Sequence, residues 1–465
     1  MMKHLLVWQW VAVGLVGLVA LGSIGGYVYY RSIDSGIERV VVGNLGPRPK
    51  ETGALNILLI GSDSRKGANK KYGATTTDLS ERTDTMMVLH ISPNRDNATM
   101  VSFPRDSMVL IPQCGTVPAG VRAINSAFNE GGIDCTMRTI ESLTGIHLDH
   151  FIKVDFSGFK AIVDALDGIE ICLPKPVNDP LAKLVLGAGK HVVKGEQALG
   201  YVRTRKQLGN GSDLGRIERQ QIFLNQVMAK ATSGGLLTNP VRLDGFLRAA
   251  TKAVTVDSEL TFERMLEIAN SVSGLTAKEL KGTTVPVEAY PPKPEALVQF
   301  KEPDAKDFFQ RIVNDVEVTP PATTGASAAP KIARDQVRVQ VLNGTGESGR
   351  AGRIAEELTA QGFVVVETGN VPTTAETSIR YGKKRADAAP YADAVSARLS
   401  KDKRTPVAGM VRPQTREVYK KAPATLKTPL VQLVIGTDWP GVRVLSTIPD
   451  SMKDKVIDSN TDPCK

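Results

Sequence analysis

The sequence predicts a layered α/β or α+β domain, followed by a second, small α/β domain. Three observations carry this prediction. Short apolar runs, the first ending at Gly61, are mixed with helix-like runs up to about residue 309. A stretch built only from Val, Pro, Thr, Ala, Gly and Ser then breaks the pattern at Val318 to Pro330, and strand-like and helix-like runs resume beyond it. At 465 residues the chain has room for two or three domains, and its 42% hydrophobic and 23% charged content excludes wholesale disorder and a multi-span membrane protein.

Each element follows from its residues. Leu5 to Tyr30 carries no charged side chain and is long enough for one transmembrane helix. Lys3 precedes it, and Trp8, Trp10, Tyr27, Tyr29 and Tyr30 sit near its ends, where aromatics mark membrane interfaces. Residues 1–4 are then cytoplasmic, 5–30 span the membrane and the body lies outside, with a signal peptide cleaved near Ala20-Leu21-Gly22 as the alternative. Residues 31–53, rich in Gly and Pro from Val41 onward, read as a stalk. Asn56 to Gly61 (NILLIG) reads as a buried strand. Thr85 to Ile91 and Ala98 to Phe103 are two more, joined as a hairpin by Pro-Asn-Arg-Asp-Asn. Ile124 to Gly132 and Thr136 to Thr144 read as helices, and His150 to Val154 as a strand feeding the helix Phe156 to Asp167. Gly195 to Tyr201 and Leu214 to Thr232 are further helices. Together these define a domain over residues 54–309. After a linker over 310–335, a second domain over 336–440 contains the strand Gln336 to Asn343, the amphipathic helix Ser348 to Gln361 and the strands Phe363 to Glu367 and Leu430 to Ile435. The tail, 441–465, reads as disordered after Pro449 apart from Cys464.

The net charge of +9 points to anionic partners without choosing among them. Arg380 to Lys420 concentrates this excess, as a solvated face or as a surface for anionic wall polymer or lipid phosphate. The four cysteines form no CxxC pair and the chain has only five His, which argues against a Cys/His zinc site. Four cysteines allow three connectivities. Cys114 and Cys135 bracket one loop-rich stretch and are taken as a pair, leaving Cys172 with Cys464.

No GxSxG, P-loop or HExxH is present. Instead Arg and Asp recur at predicted element ends. Asp63 follows the first strand, Arg82 and Asp84 open the second, and Arg105 and Asp106 close the third. If the first two strands are antiparallel neighbours, Asp63 and Asp84 meet at one sheet edge and offer hard oxygens to Mg²⁺ or Mn²⁺ with waters retained. Arg203 and Arg205 share a face if extended. Arg216 and Gln220 stand one turn apart on a helix that Asp213 could cap. Three guanidiniums and an amide suit a dianionic phosphate. Asn125 reads equally as a helix N-cap and as a ligand contact. Taken singly, each of these residues has a bland reading as a solvated side chain or surface ion pair; their repetition at element ends is what points to a site.

The ordered blocks LLIGSDSR, RTDTMMVLHI, VSFPRDSMV, INSAFNEGG, FSGFKAIVDALDGIEICL, GEQALGYVRTRK and DLGRIERQQ closely resemble the LytR-CpsA-Psr family over about Asn56 to Ala231. VRVQVLNGTGESGRAGRIAEELTAQGF and LVIGTDW resemble the accessory LytR C-terminal domain over Val337 to Trp439. The resemblance implies an α-β-α layered α/β domain with a central mixed sheet, and a membrane-anchored, extracytoplasmic phosphotransferase that moves a glycopolymer from a polyprenyl-pyrophosphate carrier to peptidoglycan, with a pyrophosphatase side activity. It implies Mg²⁺ on Asp63 and Asp84, with the pyrophosphate held by Arg82, Arg105, Arg203, Arg205, Arg216 and Gln220, and Asp106 orienting Arg105 or assisting. The interval from Asp63 to Asp84 is longer than the family pattern suggests. An apolar lipid groove is expected between the helix Phe156 to Leu166 and the strand Ile169 to Leu173. The readings from other classes are a non-catalytic wall-binding module and a membrane-tethered transcriptional regulator; no helix-turn-helix or RNA-binding motif supports the latter.

Overall fold

The structure is a computed structural model that describes residues 23–43, 45–64, 69, 81, 83–93, 95, 97–205, 208, 213–272, 280–314, 316–319, 332–383, 387–399, 404–412, 428–439, 441–442, 444–447, 456–457, 461 and 464. It divides into two units, residues 1–313 with 449–465, and residues 314–448.

The first unit is built on a seven-stranded mixed sheet. Its strands run in the spatial order Glu38–Val40, Val254–Asp257, His150–Asp155, Leu55–Ser62, Thr83–Ile91, Ala98–Ser102 and Leu280–Thr284. The central Leu55–Ser62 strand is apolar on both faces, as a strand covered on both sides requires. It lies parallel to His150–Asp155 and antiparallel to Thr83–Ile91, which in turn runs antiparallel to Ala98–Ser102. The predicted hairpin is therefore present. These directions gather the ends of three strands and the start of a fourth at one edge, and that edge carries the site.

One sheet face, through Leu55, Ile57, Met87 and Met100, packs against Leu224 and Met228 of the Asp213–Ala231 helix. The Phe156–Ala165 and Gly195–Arg203 helices join a second cluster with Phe223 of that helix. Phe156–Ala165 also crosses Pro240–Ala253 closely: a Cβ on Gly158 would stand 2.3 Å from the Ala253 carbonyl oxygen. The two helices predicted between Ile124 and Thr144 are present within Ser126–Thr144, parted by the non-helical Gly132 at φ 67°.

The ends of the unit differ from the sequence reading. The segment read as a stalk, 31–53, belongs to the domain: Ile33 and Ile37 are buried with Val256 and Phe262, and Glu38–Val40 pairs in parallel with Val254–Asp257. Two apolar residues four apart were too faint a signal to separate a packed turn of helix from a spacer. The predicted span, 5–30, falls largely on residues outside those described; 23–34 are helical, and among the described residues no helix is long and apolar enough to cross a membrane. The boundary expected at residue 309 also moves, because Asp304–Val313 is one helix with Phe308 and Phe309 in the core. Nor is the tail free after Pro449. Ile457 exchanges main-chain hydrogen bonds of 2.7 and 2.8 Å with Gly282 on the edge strand, and Cys464 is bonded to Cys172. Cys114 is bonded to Cys135, so all four cysteines are paired.

The second unit is a five-stranded sheet in the order Val364–Asn370, Arg338–Asn343, Leu430–Ile435, Ser378–Gly382 and Val407–Gly409. Val337, Val339 and Val341 pack with Ile354 and Leu358 of the Arg350–Ala360 helix, as the alternation in the sequence predicts. Val316–Thr319 and Val444–Thr447 pair in parallel, so strand structure extends into both the predicted linker and the predicted tail.

Candidate active site

A cavity of about 550 Å³ opens at the sheet edge and runs between the sheet and three helices. Its depth is apolar. The sheet contributes Leu59, Met87, Ile152 and Val154; the Phe156–Ala165 helix contributes Phe159, Ile162 and Val163; Leu199, Val202, Phe223, Leu224 and Val227 come from the other two helices. The Ile169–Leu173 strand, expected as a wall, lines none of it; its side chains Ile169, Ile171 and Leu173 are instead buried in a core cluster.

The mouth is charged. Arg105, Arg203, Arg205 and Arg216 line it with Gln220, opposite the carboxylates Asp84 and Asp155. Strand pairing accounts for the placement. Gly61 stands opposite Thr85 and Ser62 opposite Thr83, so Asp84 and the chain leaving the first strand at Asp63 share one edge. Ser62 also registers with Asp155. Ser102 registers with Met87, which brings Arg105, three residues further on, back toward Asp84.

Arg105 is bonded through Nη1 to Asp84 Oδ1, and its Nε lies 3.5 Å from Asp106 Oδ2. Burial opposes its charge, but Asp84, Asp106 and Asp213 outweigh that and hold its pKa above the ordinary arginine value. Arg216 is only 3% exposed, and its Nη2 lies 2.7 Å from Asp213 Oδ1 and 3.4 Å from the Asp84 carbonyl oxygen. Its pKa is pulled down to about 10, first by burial and then by Arg205 and Arg105, against the help of Asp213 and Asp84. A buried cation pressed by two like charges is stabilised by an incoming anion. Gln220 donates to the Val202 carbonyl at 3.1 Å and accepts from Thr85 Oγ1 at 3.3 Å, tying the helix to the second strand.

Arg203 is not on a strand, as its spacing with Arg205 suggested. It is the last residue of the Gly195–Arg203 helix, and the chain turns extended only at Thr204. The apolar period of the preceding segment continues through Val202, and a cation suits the last helical turn. Its guanidinium lies 4.6 Å from the centroid of the Phe156 ring. Arg205 Nη2 is 3.5 Å from Asp213 Oδ1, and Asp213 opens the Asp213–Ala231 helix.

The remaining expected residues are placed as follows. Arg82 lies outside the described residues. Asp63 ends the first strand's edge but is not among the residues lining the cavity. Asn125 is the N-cap residue of Ser126–Thr144, makes no side-chain cap bond, and does not line the cavity. Asp155 was missed. It caps Phe156–Ala165 by accepting from the Gly158 amide at 2.7 Å, and Asn69 Nδ2 reaches its other oxygen at 2.8 Å. The signal was legible, since Asp before Phe-Ser-Gly-Phe is an N-cap pattern at a strand-to-helix junction.

An arginine-lined mouth over an apolar cavity matches the chemistry of an amphiphile with an anionic head. The chain belongs to the LytR_cpsA_psr family, which it matches over residues 33–312, and residues 336–439 match the family described as LytR cell envelope-related transcriptional attenuator. It is 29% identical over 395 residues to the cell wall biosynthesis protein LcpA of Corynebacterium glutamicum, covering 76% of this chain and 73% of that one. It is 26% identical to the Bacillus subtilis polyisoprenyl-teichoic acid–peptidoglycan teichoic acid transferase TagV, covering 67% and 79%. A LytR-Csp2A-Psr enzyme of Actinomyces oris aligns in structure with a TM-score of 0.47 at 20% identity, over 59% of this chain and 95% of that one.

Proposed function

We propose that the chain is a membrane-anchored phosphotransferase that moves a glycopolymer from a polyprenyl-pyrophosphate carrier to peptidoglycan, releasing polyprenyl phosphate. The observation that carries this reading is the junction of four cavity-lining arginines with an apolar cavity. The cavity holds the polyprenyl chain and the arginines hold the pyrophosphate, so the scissile bond lies at the mouth. There a muramic hydroxyl attacks the sugar-linked phosphorus, and its proton passes to solvent. The bond from that phosphorus to the bridging oxygen breaks, and the oxygen leaves with its electron pair on polyprenyl phosphate. Arg105, Arg203, Arg205 and Arg216 bind the phosphates and stabilise their developing charge, and Gln220 fixes the spacing of helix and strand. Arg82 adds a further guanidinium, and Asp106 orients Arg105.

Asp63 and Asp84 are the residues that would hold Mg²⁺ or Mn²⁺. They are hard-oxygen donors at the same sheet edge, a donor type that suits a cation taking phosphate oxygens as further ligands. When bound, the cation neutralises charge on the bridging oxygens. Water in place of the acceptor gives a pyrophosphatase side activity.

The uncharged run Leu5 to Tyr30 supports a single-pass anchor with the N-terminus cytoplasmic and the body outside. The end of that run meets the body: Tyr29 Oη donates to Asp244 at 2.9 Å, on the Pro240–Ala253 helix that packs on a cavity wall. The cavity is thus one helix away from the anchor, which favours loading from the bilayer.

The test follows release of polyprenyl phosphate from a polyprenyl-pyrophosphate analogue with Mg²⁺ and peptidoglycan fragments. It uses the full chain in detergent, because starting at residue 51 would remove the edge strand Glu38–Val40. Metal-dependent release lost in Arg203→Ala supports the reading. Tight binding without release, acceptor present, replaces it with a non-catalytic module that holds lipid carrier.

A further inference from the structure

We infer that Arg219 is a positioning residue that, together with Asp179, fixes the segment carrying Arg203 and Arg205 at the mouth. The inference rests on the reading of that mouth as the phosphate site. Arg219 does not line the cavity, and at 9% exposure it is a buried cation that the proposed chemistry does not use. A buried guanidinium is costly unless its donors are met. Here the two terminal nitrogens are met by main-chain carbonyls, while the buried Nε has no hydrogen-bond partner among the described residues. Nη2 donates to Thr204, and Nη1 donates to Gly215 at 3.2 Å and to Leu208 at 3.3 Å.

Thr204 is the hub. It stands between the two mouth arginines, is 1% exposed, and leaves the helix with φ −57° and ψ 141°. Its carbonyl accepts from Arg219 and its hydroxyl donates to Asp179 Oδ2. Asp179 is in turn held by the Ala182 amide, 3.0 Å from its Oδ1. The main chain between Arg203 and Arg205 is therefore fixed from two directions, while the side chains are fixed by Phe156 and Asp213. Phosphate recognition by paired guanidiniums depends on their spacing, and misplacement by about 1 Å costs on the order of 100-fold in rate. The rigid fork of an arginine can meet three carbonyls at once, whereas a lysine ammonium is a point charge on a flexible stem.

The test compares Arg219→Lys and Thr204→Val with the native full chain in detergent. Thr204→Val keeps volume and the Arg219 bond while removing the bond to Asp179. Two readouts are taken: amide exchange of residues 203–208, and kcat and KM for polyprenyl phosphate release from the pyrophosphate analogue. The expected result is exchange faster by tenfold or more confined to that segment, with kcat lower by about 10–100-fold and KM within about threefold. Unchanged exchange in both variants overturns the inference, as does faster exchange with native kcat. A fall in kcat accompanied by faster exchange throughout the unit also overturns it, since that marks a general structural role. A native chain that binds the analogue but never releases product refutes the reaction; the exchange readout still decides whether Arg219 and Asp179 hold the segment.

Discussion

Replacing Arg216 with Met should stabilise the ligand-free protein while weakening its hold on pyrophosphate. The pKa of Arg216 falls from the ordinary arginine value to about 10. At 1.36 kcal/mol per unit this makes its charged form unfavourable in the folded protein by about 3 kcal/mol. The lowered value belongs to a base, so the cost is fully present at neutral pH and is relieved only as pH rises above about 10. Methionine keeps the aliphatic stem packed and removes the charge. Part of the gain is forfeited because Asp213 loses a partner at 2.7 Å, so the expected increase is about 1–3 kcal/mol, or a few degrees in Tm. Lost charge-assisted bonds to phosphate should weaken binding of a polyprenyl-pyrophosphate analogue by about 10–100-fold. Differential scanning calorimetry with and without the analogue reads both effects: the free variant melts higher than native, and the ligand raises its Tm less. A free variant that melts lower would refute the reasoning, because it would mean that Arg216 contributes to the fold. In the native protein, analogue binding should also weaken as pH rises through about 10, while Arg105, held above its ordinary pKa by Asp84, keeps its charge.

Val227→Trp, which fills the apolar depth, should leave inorganic pyrophosphate binding within about twofold and weaken the polyprenyl analogue more than tenfold by calorimetry. Gly158→Ala should cost about 1–3 kcal/mol in denaturant unfolding, because its methyl meets the Ala253 carbonyl and the two helices must part. Asp257→Asn should lower neutral stability and flatten the acid limb of the stability curve. Burial works against the Asp257 carboxylate, but His150 at 3.0 Å and the Phe151 and Leu260 amides outweigh it and lower its pKa. Its contribution is thus present above the usual carboxylate range and lost as pH falls through the lowered folded value. Cys464→Ser should cost up to about 5 kcal/mol, since the bond closes a separation of 292 residues, and should free the tail from Gly282 in amide exchange.

How much of this was legible in the sequence follows from which interactions are local. NILLIG, TMMVLHI and the turn between the second and third strands are local signals, and antiparallel neighbours then put Asp63 and Asp84 at one edge without further information. The arginine cluster was legible by residue type, because several arginines at element ends have few structural uses. Its geometry was not. Whether Arg203 ends a helix or begins a strand depends on packing of Leu199 and Val202 against the cavity, and both elements place a cation at the same spot. The lipid walls were misassigned in part because apolar residues of the Ile169–Leu173 strand look the same from sequence whether they face a core or a cavity. Arg219 and Asp179 were invisible for a different reason. Arg219 bonds to main-chain carbonyls, which every residue carries, so no pattern of side-chain types could reveal the contact. The same holds for Ile457 on the edge strand, where a short apolar stretch in a mostly polar tail finds its place only after the sheet and the Cys172 bond exist. Substrate chemistry was thus written in side chains that face a ligand, while the positioning of those side chains was written in contacts that form only once the chain has folded.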